Sequence, residues 1–353
     1  MTNADSVEYF QLNPDAFTRF FICKEILRKH YNDSPIKLLD VGGGSKYFRT
    51  ALLHDKLPYE LTVVDILPPP TKIIGHHYIQ GDATRMDFAD NSFNTVVSLD
   101  VLEHINDEKK AIFVQECYRV AKDLVVIAGP FDTPETTRSE KFANEFFHSL
   151  HGRDHPWLIE HFKQNKPTRK LIESQIKKFN CPYLKFESNF LPIWLKMILV
   201  NFVPETVIDQ KDIRGLNKFF NDKLLSLSDF DSPGYRQFYL LYKDSSLKME
   251  FHQYFKLEPS VESQLVLEKK LIELFVNQLV SRNADLHDEA QKLARAMGEI
   301  ERATGENAQL TIELQDTAQH AENLQATIED ITNSRTYKLL SRLNDLRRKI
   351  AGN

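Results

Sequence analysis

The chain has 353 residues, enough for one large or two ordinary domains, and 42% of them are hydrophobic, so a sizeable core is expected. A formal net charge of -5 gives no support to a general nucleic-acid binder. The three cysteines, Cys23, Cys117 and Cys181, stand far apart with no CxxC pair, which argues against a disulfide framework and for a reducing compartment, the cytoplasm.

The chain opens on MTNADSVEYF, with no basic stretch leading into an apolar one, so no signal peptide is expected. From there to about Gly129, short β-rich apolar runs alternate with helical stretches. The predicted strands are Lys37–Val41, Leu61–Ile66, His77–Gly81, Thr95–Leu99 and Leu124–Ala128. They lack clean alternation, as expected of parallel strands buried on both faces. A helix over Glu108–Ala121 fits between two of them, and such alternation implies right-handed crossovers and an open parallel sheet. The next region, to about Lys256, is richer in aromatics and helices. It reads as the rest of the same domain: a helical insertion with further strands at Lys185–Phe190 and Arg236–Tyr242. Its most apolar run, Leu191–Val203, carries Pro192, Lys196 and Asn201 and falls short of the roughly 18 residues of a membrane span, so it is read as a buried core helix.

After Pro259 the texture changes. Ser260 is a plausible N-cap. A seven-residue spacing then runs through Leu265, Ile272, Leu279, Leu286, Leu293, Ile300, Asn307, Leu314, Ala321 and Ile328. Sustained heptads predict a coiled coil over 260–333, a rod of roughly 100 Å at 1.5 Å per residue. A lone helix of that length cannot bury its stripe, so a homo-oligomer is expected, with dimer and trimer both open; Asn307 either sets the register or is an exposed polar break in the coil. The last segment, 334–353, interleaves Arg335, Lys338, Arg342, Arg347, Arg348 and Lys349 with Tyr337, Leu340, Leu343, Leu346 and Ile350. Such a basic amphipathic helix suits an anionic membrane surface or an acidic partner such as a glycosyltransferase; a solvated helix end is the plainer reading.

The sharpest chemical signal is Lys37-Leu38-Leu39-Asp40-Val41-Gly42-Gly43-Gly44-Ser45, a strand running into a glycine turn that should open a helix. Glycines there permit positive φ and a close approach of backbone to ligand. The third glycine of a GxGxxG fingerprint is missing, since Tyr47 stands at that place. The turn resembles instead the hxDxGxG turn of class I S-adenosylmethionine (SAM)-dependent methyltransferases. Leu61–Asp65 is a second strand ending in an acid, Gly81-Asp82-Ala83 ends a third, and Phe93–Ile105 is similar to the family's fourth-strand segment with its VLEH signature.

That resemblance implies a Rossmann-like α/β sheet with SAM as cofactor, in a domain spanning 1–256 (core 30–130, insertion and final strands 131–256) followed by the long coiled coil. Asp40, Gly42, Gly43 and Gly44 would shape the methionine pocket. Asp65 and Ile66 would meet the ribose, Asp82 and Ala83 the adenine, and Ser98 and Leu99 would pass beside the methyl-bearing sulfur. Lys46 departs from the family pattern, which has a small residue there, and puts the loop shape in question.

For an acceptor hydroxyl a general base is useful. His104, after the fourth strand, is the first candidate and His161 the second; packing and capping are the plain alternatives for both. The group His148, His151, His155 and His161 carries no HExxH or Cys-His pattern, so plain surface or capping positions and substrate contact are both favoured over metal, and no metal is expected. The string His155–His161 (HPWLIEH) is similar to a segment of methyltransferases from polysaccharide gene clusters. The whole architecture, head, coil and basic tail, resembles O-antigen chain-terminating methyltransferases. That implies methyl transfer to a sugar hydroxyl, in the cytoplasm or at the inner face of the membrane, with a glycan acceptor and no nucleic acid. Two alternatives stay open: a lipid, quinone or protein acceptor, and a degenerate head serving as a scaffold.

Overall fold

The structure, a computed structural model, describes residues 9–44, 46–54, 57–69, 77–224, 230–255, 261–282 and 295. Among these, strands β1 (Ile36–Val41), β2 (Tyr59–Asp65), β3 (His77–Gln80), β4 (Phe93–Leu99), β5 (Ala121–Pro130), β6 (Tyr183–Phe190) and β7 (Gly234–Tyr242) form one sheet in the order β3-β2-β1-β4-β5-β7-β6. Neighbours from β3 to β5 pair parallel. β7 runs antiparallel to both of its neighbours. Every strand read from the sequence is present, with ends shifted by a few residues. The lack of alternation has the expected cause: Leu38 and Leu39 of β1 are both fully buried and serve cores on opposite faces of the sheet.

Helix α1 (Pro14–Tyr31) was not legible as a core element. Asn13 caps it by accepting the N–H of Asp15, Pro14 occupies its first turn, and Asn32 ends it in the left-handed region at φ 48°. Phe17, Phe20, Cys23, Ile26 and Leu27 pack it on one face of the sheet, with α2 (Lys46–His54) beside it. On the other face lie α3 (Asp107–Val120) and α6 (Arg169–Phe179), joined through Phe113, Cys117, Ile172 and Ile176. The insertion after β5 supplies α4 (Pro134–His151), α5 (Pro156–Lys163), α6 and β6, and then α7 (Leu191–Phe202) and α8 (Gln210–Phe219) lead to β7. As expected, α7 is a core helix: Trp194 stacks on Tyr235 of β7 with ring centroids 3.8 Å apart. No helix among the described residues is long and apolar enough to cross a membrane, and all three cysteines are free and buried.

A short helix, α9 (Phe251–Tyr254), precedes α10 (Val261–Arg282), the first stretch of the heptad segment. Helix α10 packs on α8 and the turn after it. The residues it buries are Leu267 and Leu271, with Leu274 partly buried, whereas the heptad residues Leu265 and Ile272 are only half-buried. Spacings of four and three place Leu267, Leu271 and Leu274 on one helical stripe distinct from the heptad stripe. One face therefore meets the head while the other keeps the heptad pattern. Apart from residue 295, the coil beyond residue 282 lies outside the described residues, as do Asn307, the basic tail, Ser45 and the side chain of Lys46. Because Leu267 is only 2% exposed, Leu267→Ala should destabilise the head by about 2–4 kcal/mol, read as a lower urea midpoint at unchanged slope.

Candidate functional site

The sheet order reverses between β1 and β4, and in open α/β sheets the crevice at such a point, outside the carboxyl ends of the strands, is where ligands bind. The glycine turn lies there. Gly42 sits at φ +75°, and a Cβ on it would fall 2.4 Å from Val101 Cγ2. A Cβ on Gly43 would fall 1.9 Å from the Asp40 carboxylate, so both positions require glycine. Gly44 lies over Asp65 at the end of β2, its added Cβ meeting Asp65 Oδ2 at 3.3 Å. Asp65 Oδ1 accepts the N–H of Leu67 at 2.9 Å. Beside it Ile66 and Leu67 expose 69% and 64% of their surface, and Ile79 of β3 exposes 43%, a concentration of bare apolar side chains that suits a flat ring. Asp40 itself is buried. Burial pushes its carboxyl up to about 7, helped by the charge of Asp65 and opposed by that of Arg19.

The other residues named from the sequence fall as follows. Asp82 follows β3; its Oδ1 accepts from Thr84 N at 2.8 Å and Thr84 Oγ1 at 2.7 Å, and Oδ2 accepts from Lys109 at 3.1 Å. The Thr84 hydrogen bonds bring its carboxyl down to about 2. Ala83 is half-buried next to it, while Ser98 and Leu99 are buried at the end of β4. The acids of the glycine turn and the end of β4 thus converge on one crevice.

Just past β4, Asp100 takes a left-handed conformation at φ 54°. It is clamped by Arg236 of β7, which is fully buried and donates Nε to Asp100 Oδ1 at 2.6 Å and Nη2 to Oδ2. Arg236 Nη1 donates to Asn189 Oδ1 at 2.6 Å and Nη2 to Asp15 Oδ1 at 3.3 Å. Arg19 of α1 makes a further ion pair with Asp100. Burial works to raise the Asp100 carboxyl, but the two guanidinium charges overcome it and hold the group well below the usual carboxylate range. No motif in the sequence singles these residues out. The available signal was Arg236 inside the apolar run Tyr235–Tyr242, since a charge in a central strand requires a buried partner.

His104 and His161 are brought together, their rings 5.3 Å apart. His104 ends a single 3-10 turn, Leu102–His104, and is half-buried; its Nδ1 lies 3.1 Å from Glu160 Oε1 and its Nε2 4.0 Å from Glu103 Oε1. Burial holds its pKa below the ordinary imidazole value, against the pull of Glu160. Buried His161 on α5 donates Nδ1–H to Glu140 Oε1 at 2.9 Å. Glu140 is completed by Lys166 at 2.6 Å and by the Tyr235 hydroxyl at 2.9 Å. Glu103 is 1% exposed, and neither carboxyl oxygen has a hydrogen-bond partner on another described residue. Burial and the neighbouring Asp100 charge push its carboxyl well up.

The remaining histidines of the second group do not join them. His148 pairs with Asp154 on the surface at 3.0 Å, and His151 bonds the Phe202 carbonyl at 2.7 Å. His155 stacks on Phe202 with centroids 4.7 Å apart. His151 and His155 instead line a cleft of about 360 Å³ with Trp157, Asn13, Asp15 and Asn201. Trp157 forms the link between regions, its ring 5.1 Å from that of His161.

Residues 39–127 match a family described as a methyltransferase domain. Among solved structures the chain is similar to the plantazolicin methyltransferase BpumL in complex with SAH, at 12% identity over 68% of this chain and 89% of that one, with a TM-score of 0.42. It is also similar to the Burkholderia thailandensis 1,6-didemethyltoxoflavin-N1-methyltransferase, at 10% identity over 69% and 87%, with a TM-score of 0.37. No curated protein matches it.

The Asp100 clamp has a measurable weight. Arg236→Met leaves a buried carboxylate short of its main partner and should cost about 3–5 kcal/mol, with part of the loss recovered in Arg236→Met/Asp100→Asn. Because Asp100 is held low, its contribution is present above the unfolded carboxylate pKa and is lost as pH falls. The melting-temperature gap between wild type and Arg236→Met should therefore be full at pH 7 and narrow on acidification below about pH 4.

Proposed function

We propose that this class I, SAM-dependent methyltransferase domain places the methyl group on a sugar hydroxyl of a surface polysaccharide resembling O antigen. The observation that carries the acceptor class is the cleft beside His161. It combines an aromatic face, Trp157, with amide and carboxyl groups at Asn13, Asp15 and Asn201, the mixture that receives a polyol's apolar ring face and its hydroxyls.

The residues present fit the cofactor. The glycine turn has no space for side chains, Asp65 has a carboxylate oxygen facing Gly44, and Ile66, Leu67 and Ile79 offer an apolar bed. Asp40 and the glycines would hold the amino-acid end, Asp65 the ribose and Asp82 the adenine, sharing Oδ2 with Lys109. When bound, SAM supplies a methyl group already made electrophilic by its sulfonium. The protein's part is to orient the acceptor oxygen and to remove its proton. The cluster of Glu103, His104 and His161 does the second. Burial keeps the His104 ring neutral at neutral pH, so a nitrogen lone pair is available there. Beyond the head, the heptad segment would join copies of the chain, and the basic tail would rest on an anionic membrane face where lipid-linked glycans are assembled.

Calorimetric titration with SAM tests the cofactor site. Wild type should bind in the micromolar range, and Asp65→Ala should weaken binding at least tenfold; a well-folded wild type that binds nothing would point to a scaffold role instead. The Asp40 carboxyl, neutral below about pH 7, should ionise to meet the ligand's ammonium. Affinity should thus rise about tenfold from pH 5.5 to pH 7 and stay flat in Asp40→Asn. For the acceptor, transfer of labelled methyl to a panel of glycans, lipids and proteins should favour glycans. Trp157→Ala should raise KM for the acceptor with SAM affinity unchanged, and His104→Gln should lower kcat by about 10²–10⁴. Methylation of a lipid or protein in preference to every glycan would overturn the acceptor class.

A further inference from the structure

We infer that Glu103, His104 and His161 hold a divalent metal ion of the zinc class, bound by the Glu103 carboxylate and one ring nitrogen of each histidine. One ligand atom from each residue lies within 4.8 Å of the others. Around an ion with bonds of about 2.0–2.2 Å, ligand atoms stand roughly 3.3–3.6 Å apart, so side-chain shifts of about an ångström would close the triangle.

Three features point to an ion beyond mere proximity. The first is Glu103, a fully buried carboxyl whose oxygens receive no hydrogen bond from another described residue, with Oε1 directed toward His104 Nε2 at 4.0 Å. Buried carboxyls without a donor are costly, and a cation at this point supplies the missing partner. The second is the orientation of the histidines. Each presents Nδ1 to a carboxylate, His161 to Glu140 at 2.9 Å and His104 to Glu160 at 3.1 Å. For His161, hydrogen-bonded to Glu140, that arrangement directs the proton to Nδ1 and leaves the Nε2 lone pair for a metal, as in carboxylate–histidine–metal relays, whereas His104 Nδ1 lies near Glu160 without the alignment of a hydrogen bond. Glu140 is in turn fixed by Lys166 and Tyr235, so the relay is anchored in the core. The third is the neighbouring charge. Asp100, a neighbouring acid, is occupied by Arg236 and Arg19 and does not compete for the ion.

One carboxylate and two imidazoles suit zinc and its neighbours in the first transition row, and three protein ligands leave a coordination position open. His104, with 31% of its side chain exposed, lies on the solvent side and marks the way in. An alcohol oxygen in the open position would lose its proton to solvent more readily, so the bound ion would take over from the free His104 ring the task of preparing the acceptor. That use rests on the methyl-transfer reading; the binding of the ion does not.

The test uses the full chain, stripped with a chelator and titrated with Zn²⁺ by calorimetry and with Co²⁺ by visible absorption. One ion per chain is expected, with a cobalt spectrum of low coordination number and release of protons in buffers of different ionisation enthalpy. His104→Ala and Glu103→Gln remove direct ligands and should each weaken binding by at least the roughly 10- to 100-fold that loss of a ligand's hydrogen-bond partner costs. The surface variant His148→Ala should leave it unchanged. His104 is part-exposed, so its variant tests the site even where a Glu103 or His161 substitution disturbs folding, which circular dichroism would report. Absence of a stoichiometric ion in wild type, or binding undiminished in His104→Ala, overturns the proposal. SAM titration of the same preparations fails or succeeds separately, so the loss of one reading is distinguishable from the loss of the other.

Discussion

The ion pair between Arg236 and Asp100 is the constraint on which the rest of the site depends. A fully buried guanidinium in the middle of β7 cannot be left unpaired, and the chain meets it with Asp100, Asp15 and Asn189. These partners come from β4, α1 and β6, so one cation ties the antiparallel strand, the end of β4 and the N-terminal helix together. The clamp also holds the side chain of Asp100, whose backbone lies in the left-handed region at φ 54°, a conformation Asp tolerates better than most residues. From that turn the chain passes directly into the Leu102–His104 turn and so places Glu103 and His104.

A second buried carboxylate organises the neighbouring element. Glu140 on α4 accepts from His161, Lys166 and Tyr235. Against the cost of burial, the His161 hydrogen bond and the Lys166 charge keep its carboxyl below the ordinary range, so it remains an acceptor. The insertion between β5 and β7 is therefore locked to the sheet by a charge-assisted network as well as by its apolar contacts, and α5 carries His161 to His104. Glu103 has the opposite character: it is buried beside an anion with no donor from another described residue. Two buried carboxylates that both neighbour His161, one fully satisfied and one not, mark where the fold is structural and where it leaves capacity for a ligand.

The histidines show the same division. Four of them cluster in the sequence between residues 148 and 161, yet only His161 reaches the crevice. His148 is a surface partner of Asp154, and His151 and His155 line the adjoining cleft through stacking on Phe147 and Phe202. Spacing along the chain could not separate these roles, because α4 ends at His151 and Gly152 turns the chain at φ 68° before α5 begins. That turn separates His148 and His151, carried on α4, from His155 and His161, which follow it.

The sequence by itself determined the strands of the sheet, the glycine turn and the acids at the strand ends. Each of these depends on local chemistry: buried parallel strands demand continuous apolar runs, and a turn that brings backbone over a carboxylate admits only glycine, as Gly43 shows against Asp40. The heptad spacing after Pro259 was equally legible, but the stripe that α10 turns to the head, Leu267 and Leu271, was hidden beneath it, because one helix can carry two apolar stripes and only packing chooses between them. Tertiary structure alone decided the role of α1, whose capped start at Asn13 and apolar face carry no signature beyond amphipathicity. It also decided the partners of Arg236 and the meeting of Glu103, His104 and His161. Those residues lie on a turn after β4, a helix of the insertion and the last strand. Burial of charge is a property of the whole fold, and a single position in the chain cannot express which opposite charge, from which distant element, will satisfy it.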